Sequence, residues 1–287
     1  MQNTTTSFGW SASRLKSLLQ CPRQYAYAYL DGIPAVPTAP LVFGRVMHET
    51  LRIASEQQMS SGVLPSPSEM EHTLEGLWSA ALETESPFFG PRQPTAQGYS
   101  ALGLRMLETF HRDYVSKPPP IAVEFAFDVT IGERSFIGTV DRVEESGNGL
   151  AIVDYKSGQR KPSPTEAATD VGMTITTFAL RQTFGLRVES IEYRFLRDGS
   201  HIPAVRDESD FEHLLNKIMP QAERILEDGE FLPRPGFWCR WCDYRELCGA
   251  QGIELCSTGA LHIFYEKHPS LCAELNLAHF LVVLSDK

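Results

Sequence analysis

The pattern of apolar and polar residues along the chain changes period once, near residue 120. Before that point, apolar residues recur every three to four positions, which is typical of amphipathic helices. From Ile121 to Ile131 they alternate with more polar residues, which predicts a half-buried strand. The turns "GER" and "SGNG" join this strand to two more and predict an antiparallel meander. Two predicted helices share 11–30, the first capped by Ser11 and the second started by Pro22, and further helices cover 42–59, 67–84 and 97–115. The predicted strands cover 121–131, 135–144 and 150–156.

Two further helices and a fourth strand follow the meander. A helix over 165–184 ends at Gly185, and a strand follows near 189–197. Apolar residues from Phe211 to Leu226 then keep nearly ideal helical spacing, although Pro220 is expected to kink or split that helix. Apart from a helical insertion, the order from His48 onward is therefore helix, three strands, helix, strand, helix.

Composition and charge limit the class of protein. The 287 residues are 42% hydrophobic and 22% charged, as in ordinary globular proteins, and the length suits one large domain or two small ones. A formal net charge of −10 argues against coating nucleic acid by overall attraction, but it leaves room for a local basic groove. The N-terminus lacks the features of a signal peptide, and "LNLAHFLVVL" is too short to span a bilayer. We therefore expect a soluble, cytoplasmic protein with no membrane partner.

The third predicted strand ends in charged residues. In "LAIVDYK", Asp154 and Lys156 fall on one face of the strand, because successive side chains alternate. Asp141 lies near the end of the apolar run in the preceding strand, so a meander brings the two carboxylates together. Adjacent carboxylates repel unless a cation lies between them, and Mg²⁺ binds such oxygens. Lys156 could then orient a water or offset charge that develops on a phosphate.

These residues also have purely structural interpretations. Asp154 and Lys156 could form a salt bridge at the rim of the core, since ion-pair networks also place charges near cores. A single histidine on an amphipathic helix, such as His48, is more often a structural residue than a ligand. Glu124, on the polar face of the first strand, either reaches the site or faces solvent.

The order of these motifs resembles the PD-(D/E)XK nuclease superfamily. A helix with "FGRVMHETL" precedes strands with "GTVDRVE" and "IVDYKSG", and a helix and a strand follow. The arrangement is similar to the RecB-like branch, which includes the nuclease domains of RecB/AddB-type helicase–nucleases and the CRISPR-associated RecB-like exonucleases. The resemblance implies an α/β (α+β-like) fold with a PD-(D/E)XK, restriction-endonuclease-like core of order αβββαβ, whose central mixed sheet is flanked by helices. It divides the chain into a nuclease domain over 1–250 and an extension over 251–287. Within the nuclease domain, the catalytic core covers 42–59 and 121–228, and a helical insertion lies near 60–118. The iron–sulfur segment consists of residue 21 and residues 239–248.

The resemblance also implies roles for individual residues. His48, Asp141 and Asp154 match the metal-binding residues of the family, and Lys156 matches its catalytic lysine. The backbone carbonyl of Tyr155 is expected as a further ligand. The implied metal is Mg²⁺ or Mn²⁺, bound mainly through oxygen.

Substrate binding is where the sequence departs from the RecB-like pattern. That branch carries a Gln-x-x-x-Tyr motif on the helix after the lysine strand, where "DVGMTITTFALRQTFG" instead places Thr174 and Phe178. Gln182 could compensate in part. Basic residues near the site either contact the DNA backbone or form a solvated surface. They are Arg160, Lys161, Arg14, Lys16 and Arg23.

Four of the six cysteines have the spacing of a metal centre. Cys239 and Cys242 are separated by two residues, Cys248 follows five residues further on, and Cys21 is a fourth candidate. Zinc and iron–sulfur clusters both use four thiolates, and the lack of a second paired Cys motif favours a cluster. Some RecB-like nucleases bind a [4Fe–4S] cluster through one cysteine before the core and three after it, which implies the same here. Cys256 and Cys272 are interpreted as ordinary buried thiols.

The sequence supports two functions. The first is a metal-dependent DNA nuclease, an exonuclease that hydrolyses phosphodiester bonds from ends in DNA repair, recombination or CRISPR-related processing. The alternative is a DNA-binding or helicase-associated iron–sulfur subunit of the same fold with little activity alone. Both have DNA as a partner, and a helicase or recombination protein is a possible second partner.

Overall fold

The structure, a computed structural model, describes residues 9–248. Cys256, Cys272 and the predicted extension over 251–287 lie outside them. Along the described residues, the elements are β1 (Gly9–Trp10), α1 (Ala12–Gln20), α2 (Pro22–Tyr25, continued by a π-helical turn, Ala26–Leu30), α3 (Ala39–Ser61), α4 (Pro67–Glu85), α5 (Ala96–Tyr114), β2 (Ala122–Ile131), β3 (Arg134–Ser146), β4 (Gly149–Lys156), α6 (Pro164–Ala168), α7 (Val171–Phe184), β5 (Val188–Phe195), β6 (His201–Pro203), α8 (Glu208–His213, continued by a π-helical turn, Leu214–Ile218), α9 (Met219–Asp228) and a 3-10 turn, Phe237–Trp241.

A mixed sheet forms the centre of the molecule. β2, β3 and β4 pair antiparallel in sequence order, which confirms the predicted meander. β5 returns parallel to β4 after the crossover through α6 and α7, and β6 pairs antiparallel with β5. β1 adds to β3 in parallel at Ser135 and Phe136. This is the mixed α/β core of order αβββαβ expected from the sequence.

Helices cover both faces of the sheet and enclose two apolar cores. One core includes Leu15 of α1 and residues of α7 and α9. The other includes Phe43 of α3 together with residues of α4 and α5. Ile152 and Val153, which are neighbours on β4, enter different cores because strand side chains alternate. The strand that carries the charged motif is therefore fixed from both sides.

Two predicted helices are less regular than their sequence patterns suggest. The predicted helix over 165–184 is two helices, because Asp170 leaves the helical path and caps α7 by accepting hydrogen bonds from Gly172 and Met173. The later helix holds a π-helical turn that ends at Ile218, two residues before Pro220. A proline lacks the N–H that continues a regular helix. No helix within residues 9–248 is long and apolar enough to cross a membrane.

Candidate active site

The charged side chains of α3, β2 and β3 meet at one point. His48 Nδ1 lies 3.4 Å from Asp141 Oδ1 and 3.6 Å from Glu124 Oε1. In the described part of the chain, these residues are the only group of three or more His, Cys, Asp or Glu side chains whose ligand atoms all lie within 4.8 Å of one another. The structure thus brings Glu124 to the site, where the sequence left it open between site and solvent.

The backbone is irregular where this group forms. Glu124 has φ of 41°, a left-handed conformation that costs energy for a residue with a β-carbon. The β2–β3 ladder is in register on both sides but omits the Glu124–Asp141 pair. Asp141 instead accepts a hydrogen bond of 2.6 Å from the Tyr155 backbone N–H, which ties the carboxylate to β4. Strained backbone of this kind is concentrated at functional sites.

Asp154 and Lys156 lie beside this group at the end of β4. They form an ion pair, and their side chains are 30% and 42% exposed. Burial and the negative charge of Asp141 raise the pKa of Asp154 to about 6, against the pull of Lys156. The two carboxylates are thus close enough to interact electrostatically, as expected from the predicted meander. The salt bridge anticipated as an alternative is present, and it lies next to the carboxylate cluster.

The donor set suits a divalent cation. Burial disfavours a charged His48, yet hydrogen bonds and attraction from Asp141 and Glu124 outweigh it and raise its pKa to about 10. The cluster therefore attracts positive charge. A metal ion bound there would offset the repulsion among the carboxylates of Glu124, Asp141 and Asp154. One imidazole nitrogen with carboxylate oxygens suits hard or borderline divalent ions such as Mg²⁺ and Mn²⁺.

Comparison with known proteins agrees with this geometry. The family model of the PD-(D/E)XK nuclease superfamily matches residues 9–249. This chain belongs to the PD-(D/E)XK nuclease superfamily. Its mixed sheet flanked by helices is the fold of that family, and such nucleases use divalent metals.

Two solved structures resemble this PD-(D/E)XK chain at low sequence identity. A candidate exonuclease from Eubacterium rectale is 12% identical, with a TM-score of 0.47, and the match covers 90% of this chain and 99% of that one. The protein SSO0001 is 13% identical, with a TM-score of 0.32, and the match covers 87% of this chain and 90% of that one. A search of curated proteins found no match. The family assignment therefore rests on the match over residues 9–249.

The residues predicted to bind substrate all have partners within this nuclease. Thr174 is buried, and its hydroxyl accepts a 2.9 Å hydrogen bond from Arg206. The Phe178 ring packs at 4.7 Å from that of Phe211. The other candidates also have partners. Three form ion pairs: Arg160 with Glu166, Lys161 with Asp198, and Lys16 with Asp170. Gln182 and Arg14 donate hydrogen bonds to the backbone carbonyls of Thr130 and Gly9, and the Arg23 guanidinium lies over the Tyr27 ring. Substrate binding by these residues stays a prediction.

Lys156 has neighbours that its sequence motif does not reveal. Its Nζ lies 5.2 Å from the centre of the Tyr193 ring on β5. The Tyr193 hydroxyl interacts with Asp170, which also pairs with Lys16 at 2.7 Å. Lys16 therefore connects α1 to the α7 cap beside the active site. Only the parallel pairing of β4 with β5 brings this chain of contacts together.

The four cysteines predicted to bind a cluster line one cavity. Cys21 comes from the junction of α1 and α2, whereas Cys239, Cys242 and Cys248 come from the last described segment. Backbone N–H groups point at two of the sulfurs: Arg234 at Cys21 and Gly236 at Cys239, both at 3.4 Å. None of the four forms a disulfide. Burial raises the pKa of the Cys242 thiol to about 11, so a protein-bound cation would be needed to hold it as a thiolate.

Proposed function

We propose that this protein is a metal-dependent DNA nuclease that hydrolyses phosphodiester bonds from strand ends. The observation that carries the proposal is the convergence of His48, Glu124 and Asp141 beside the Asp154–Lys156 pair. Membership of the nuclease superfamily supplies the reaction class. We assign the protein to the RecB-like branch because a histidine on α3 precedes the β2–β4 meander, and four cysteines frame the core.

Each side chain has a distinct task in this mechanism. His48, Glu124, Asp141 and Asp154 would hold Mg²⁺ or Mn²⁺, which activates water and polarises the phosphate when bound. Tyr155 would add its carbonyl oxygen, since its N–H is already fixed by Asp141. Lys156 keeps its positive charge, because attraction to Asp154 and Asp141 raises its pKa in spite of burial. It therefore offsets the charge that develops on the phosphate and orients the attacking water.

The four cysteines hold a [4Fe–4S] cluster in this proposal. Zinc sites and iron–sulfur clusters both use four thiolates. The lack of a second paired Cys motif around Cys21 supports a cluster over the zinc alternative. Anaerobically purified protein should be brown and contain iron and sulfide, whereas a colourless protein with one zinc would reject the cluster.

Cleavage assays test the nuclease directly. End-labelled linear DNA and circular DNA are incubated with Mg²⁺ or Mn²⁺, the wild-type protein, Asp154→Asn or Lys156→Ala. Both variants should lose about 100-fold or more of the cleavage rate, and circular DNA should resist. Lys117→Ala is the matched control, because Lys117 is also ion-paired and has similar exposure, 39% against 42%. Unchanged cleavage by Lys156→Ala would reject the assigned role.

A non-catalytic role is the second candidate. Thr174 and Phe178 replace the expected substrate-binding motif and are engaged in internal contacts. That arrangement favours a DNA-binding or helicase-associated subunit, whose site a partner would complete. DNA binding without cleavage under either metal would support this role. In either role, we place the protein in the cytoplasm, in DNA repair, recombination or CRISPR-related processing, with a helicase or recombination protein as the partner.

A further inference from the structure

An open groove runs along the first half of α3 to the metal-binding cluster. Its lining includes Gly44, His48, Glu124 and Ser157. A β-carbon built on Gly44 would lie 3.3 Å from Ser157 Oγ, so the α3 backbone approaches the end of β4 closely there. Ser157 follows Lys156 directly in the chain and is the point where this groove meets the loop after the catalytic strand.

A second feature adjoins Ser157 on the side of the β5–β6 turn. The Arg197 Nε–H donates a 2.8 Å hydrogen bond to the Ser157 carbonyl oxygen. This turn also packs against α5, since a β-carbon on Gly199 would lie 3.1 Å from Arg112 Nη2, 3.2 Å from Thr109 Cγ2 and 3.6 Å from Asp113 Oδ2. Arg112 and Asp113 pair with each other. Arg105 lies one helical turn before Thr109, on the same face of α5. Two guanidinium groups from different elements therefore flank the exit from the catalytic strand.

Within residues 9–248, neither guanidinium is paired with a carboxylate. Of the arginines in residues 9–248, several near the site are paired with carboxylates, such as Arg45 with Glu85 and Arg52 with Glu49. Arg197 and Arg105 have no carboxylate partner among the described residues. Partial burial lowers the pKa of Arg197, and the positive charge of Arg105 lowers it further, so the two positive charges lie close enough to repel each other.

Two unpaired cations held beside each other in a chain of net charge −10 call for an anion. We propose that Arg105 and Arg197 form a phosphate-binding subsite for the substrate strand, next to the scissile phosphate. The inference rests on the proposed nuclease function. Arg197 is tethered through Nε, so its two terminal nitrogens remain available for the fork-like contact that guanidinium makes with phosphate oxygens. Successive phosphates of a strand are spaced by about 3.4 Å of rise, so the contacted phosphate lies within a few nucleotides of the cleavage point.

The subsite also gives the helical insertion a role. α5 belongs to the segment predicted as an insertion, and it supplies Arg105. Arg197 comes from the turn that follows β5 of the sheet. The strand would thus be held between the insertion and the nuclease core, with Ser157 between the metal cluster and the arginine pair. Phosphate contacts of this kind position a strand without reading its sequence.

Salt-dependent DNA binding tests the subsite. Fluorescence anisotropy of a labelled single-stranded oligonucleotide is measured in EDTA, so that no cleavage occurs, between 50 and 200 mM salt with the full chain. Arg197→Gln and Arg105→Gln should each weaken binding roughly 5- to 10-fold at about 50 mM salt and reduce the slope of log K against log salt by about 0.7. The double variant should reduce the slope by about 1.4.

Controls separate this proposal from trivial effects. Arg224→Gln removes the same charge from an exposed position on α9 and should leave the slope unchanged. Arg105 is exposed, so its substitution should not unfold the protein and tests the subsite even if Arg197→Gln is unstable. Wild-type affinity and slope in both arginine variants would overturn the subsite.

The cleavage assay run in parallel distinguishes failure of the subsite from failure of the nuclease. If wild-type protein cleaves DNA and the arginine variants bind and cleave as wild type does, only the subsite is rejected. If wild-type protein does not cleave but the variants lose affinity and salt slope, the subsite stands and the nuclease is rejected.

Discussion

At the scale of single residues, the candidate site is a group of carboxylates whose mutual repulsion must be offset by a cation. Asp141, Asp154 and Lys156 were predictable from sequence, because their motifs fall on neighbouring strands, whereas His48 on α3 was assigned to the site only through the family resemblance. Glu124 was not predictable, because strand alternation shows only that its side chain shares a polar face. His48 meets Glu124 because α3 crosses over β2, and this tertiary contact cannot be predicted from a local sequence pattern.

Glu124→Gln tests this tertiary assignment. The substitution keeps the shape of the side chain but removes one of the charges that attract a cation, so we expect metal affinity and activity to fall roughly 10- to 100-fold. Excess metal should restore part of the activity. The measurement is the cleavage rate as a function of Mg²⁺ or Mn²⁺ concentration. Glu49→Gln, which alters a neighbouring glutamate paired with Arg52, serves as the control. Equal metal dependence in both variants would remove Glu124 from the site.

Metal binding should be strongly pH-dependent. In the metal-free protein, the pKa of His48 is about 10 and that of Asp154 about 6, and each group must lose its proton to bind metal. Affinity should therefore rise with pH, by about one log unit per pH unit between roughly 7 and 9, and by about two per unit below about 6. Calorimetric titration of Mn²⁺ in buffers of different ionisation enthalpy measures both affinity and proton release. Binding that is independent of pH would contradict the assigned ligands.

At the scale of elements, sequence patterns located the long helices and strands and missed the short or interrupted ones. β1 and β6 have two and three residues, which is too few to show a period of two. The break between α6 and α7 depends on Asp170, whose capping role competes with an apolar pattern that continues across it. The family resemblance implied a mixed sheet, but the parallel pairing of β5 with β4 and its register emerge only from the structure.

Gly149 provides a test of that register. It opens β4, and a β-carbon there would overlap the Arg187 carbonyl oxygen at the start of β5. Gly149→Ala should therefore destabilise the fold by about 1–3 kcal/mol, measured by urea unfolding. Gly158→Ala is the matched control, because a β-carbon at Gly158 would meet open space. Equal stability of the two variants would show that β4 and β5 do not pair in this register.

At the scale of the whole molecule, the cysteine cavity joins segments more than 200 residues apart. Cys21 precedes strands β2–β6 and Cys239 follows α9, so a shared cluster would close nearly the entire nuclease core into one loop. Closing so long a loop restricts the unfolded chain. The sequence spacing predicted which cysteines belong together, whereas the backbone N–H groups that point at their sulfurs emerge only from the folded chain.

Cys242→Ser should therefore destabilise the protein as a whole. We expect the melting temperature to fall by about 5 °C or more, since the loss of a cross-link between distant segments costs roughly 2–4 kcal/mol. The measurement is thermal unfolding under anaerobic conditions, with iron content determined on the same sample. Cys256→Ser is the control, because that thiol is predicted to be an ordinary one. A melting temperature unchanged by Cys242→Ser would exclude a structural cluster.

The central claim is that the cluster of His48, Glu124 and Asp141 binds a divalent metal that drives hydrolysis of DNA. The most direct test is the single-turnover cleavage rate of end-labelled linear DNA by wild type and by Asp141→Asn, across a titration of Mg²⁺ and Mn²⁺. The predicted result is saturable, metal-dependent cleavage by wild type and a loss of about 100-fold or more in the variant, with its fold intact. Cleavage by Asp141→Asn at the wild-type rate and metal dependence would contradict the account.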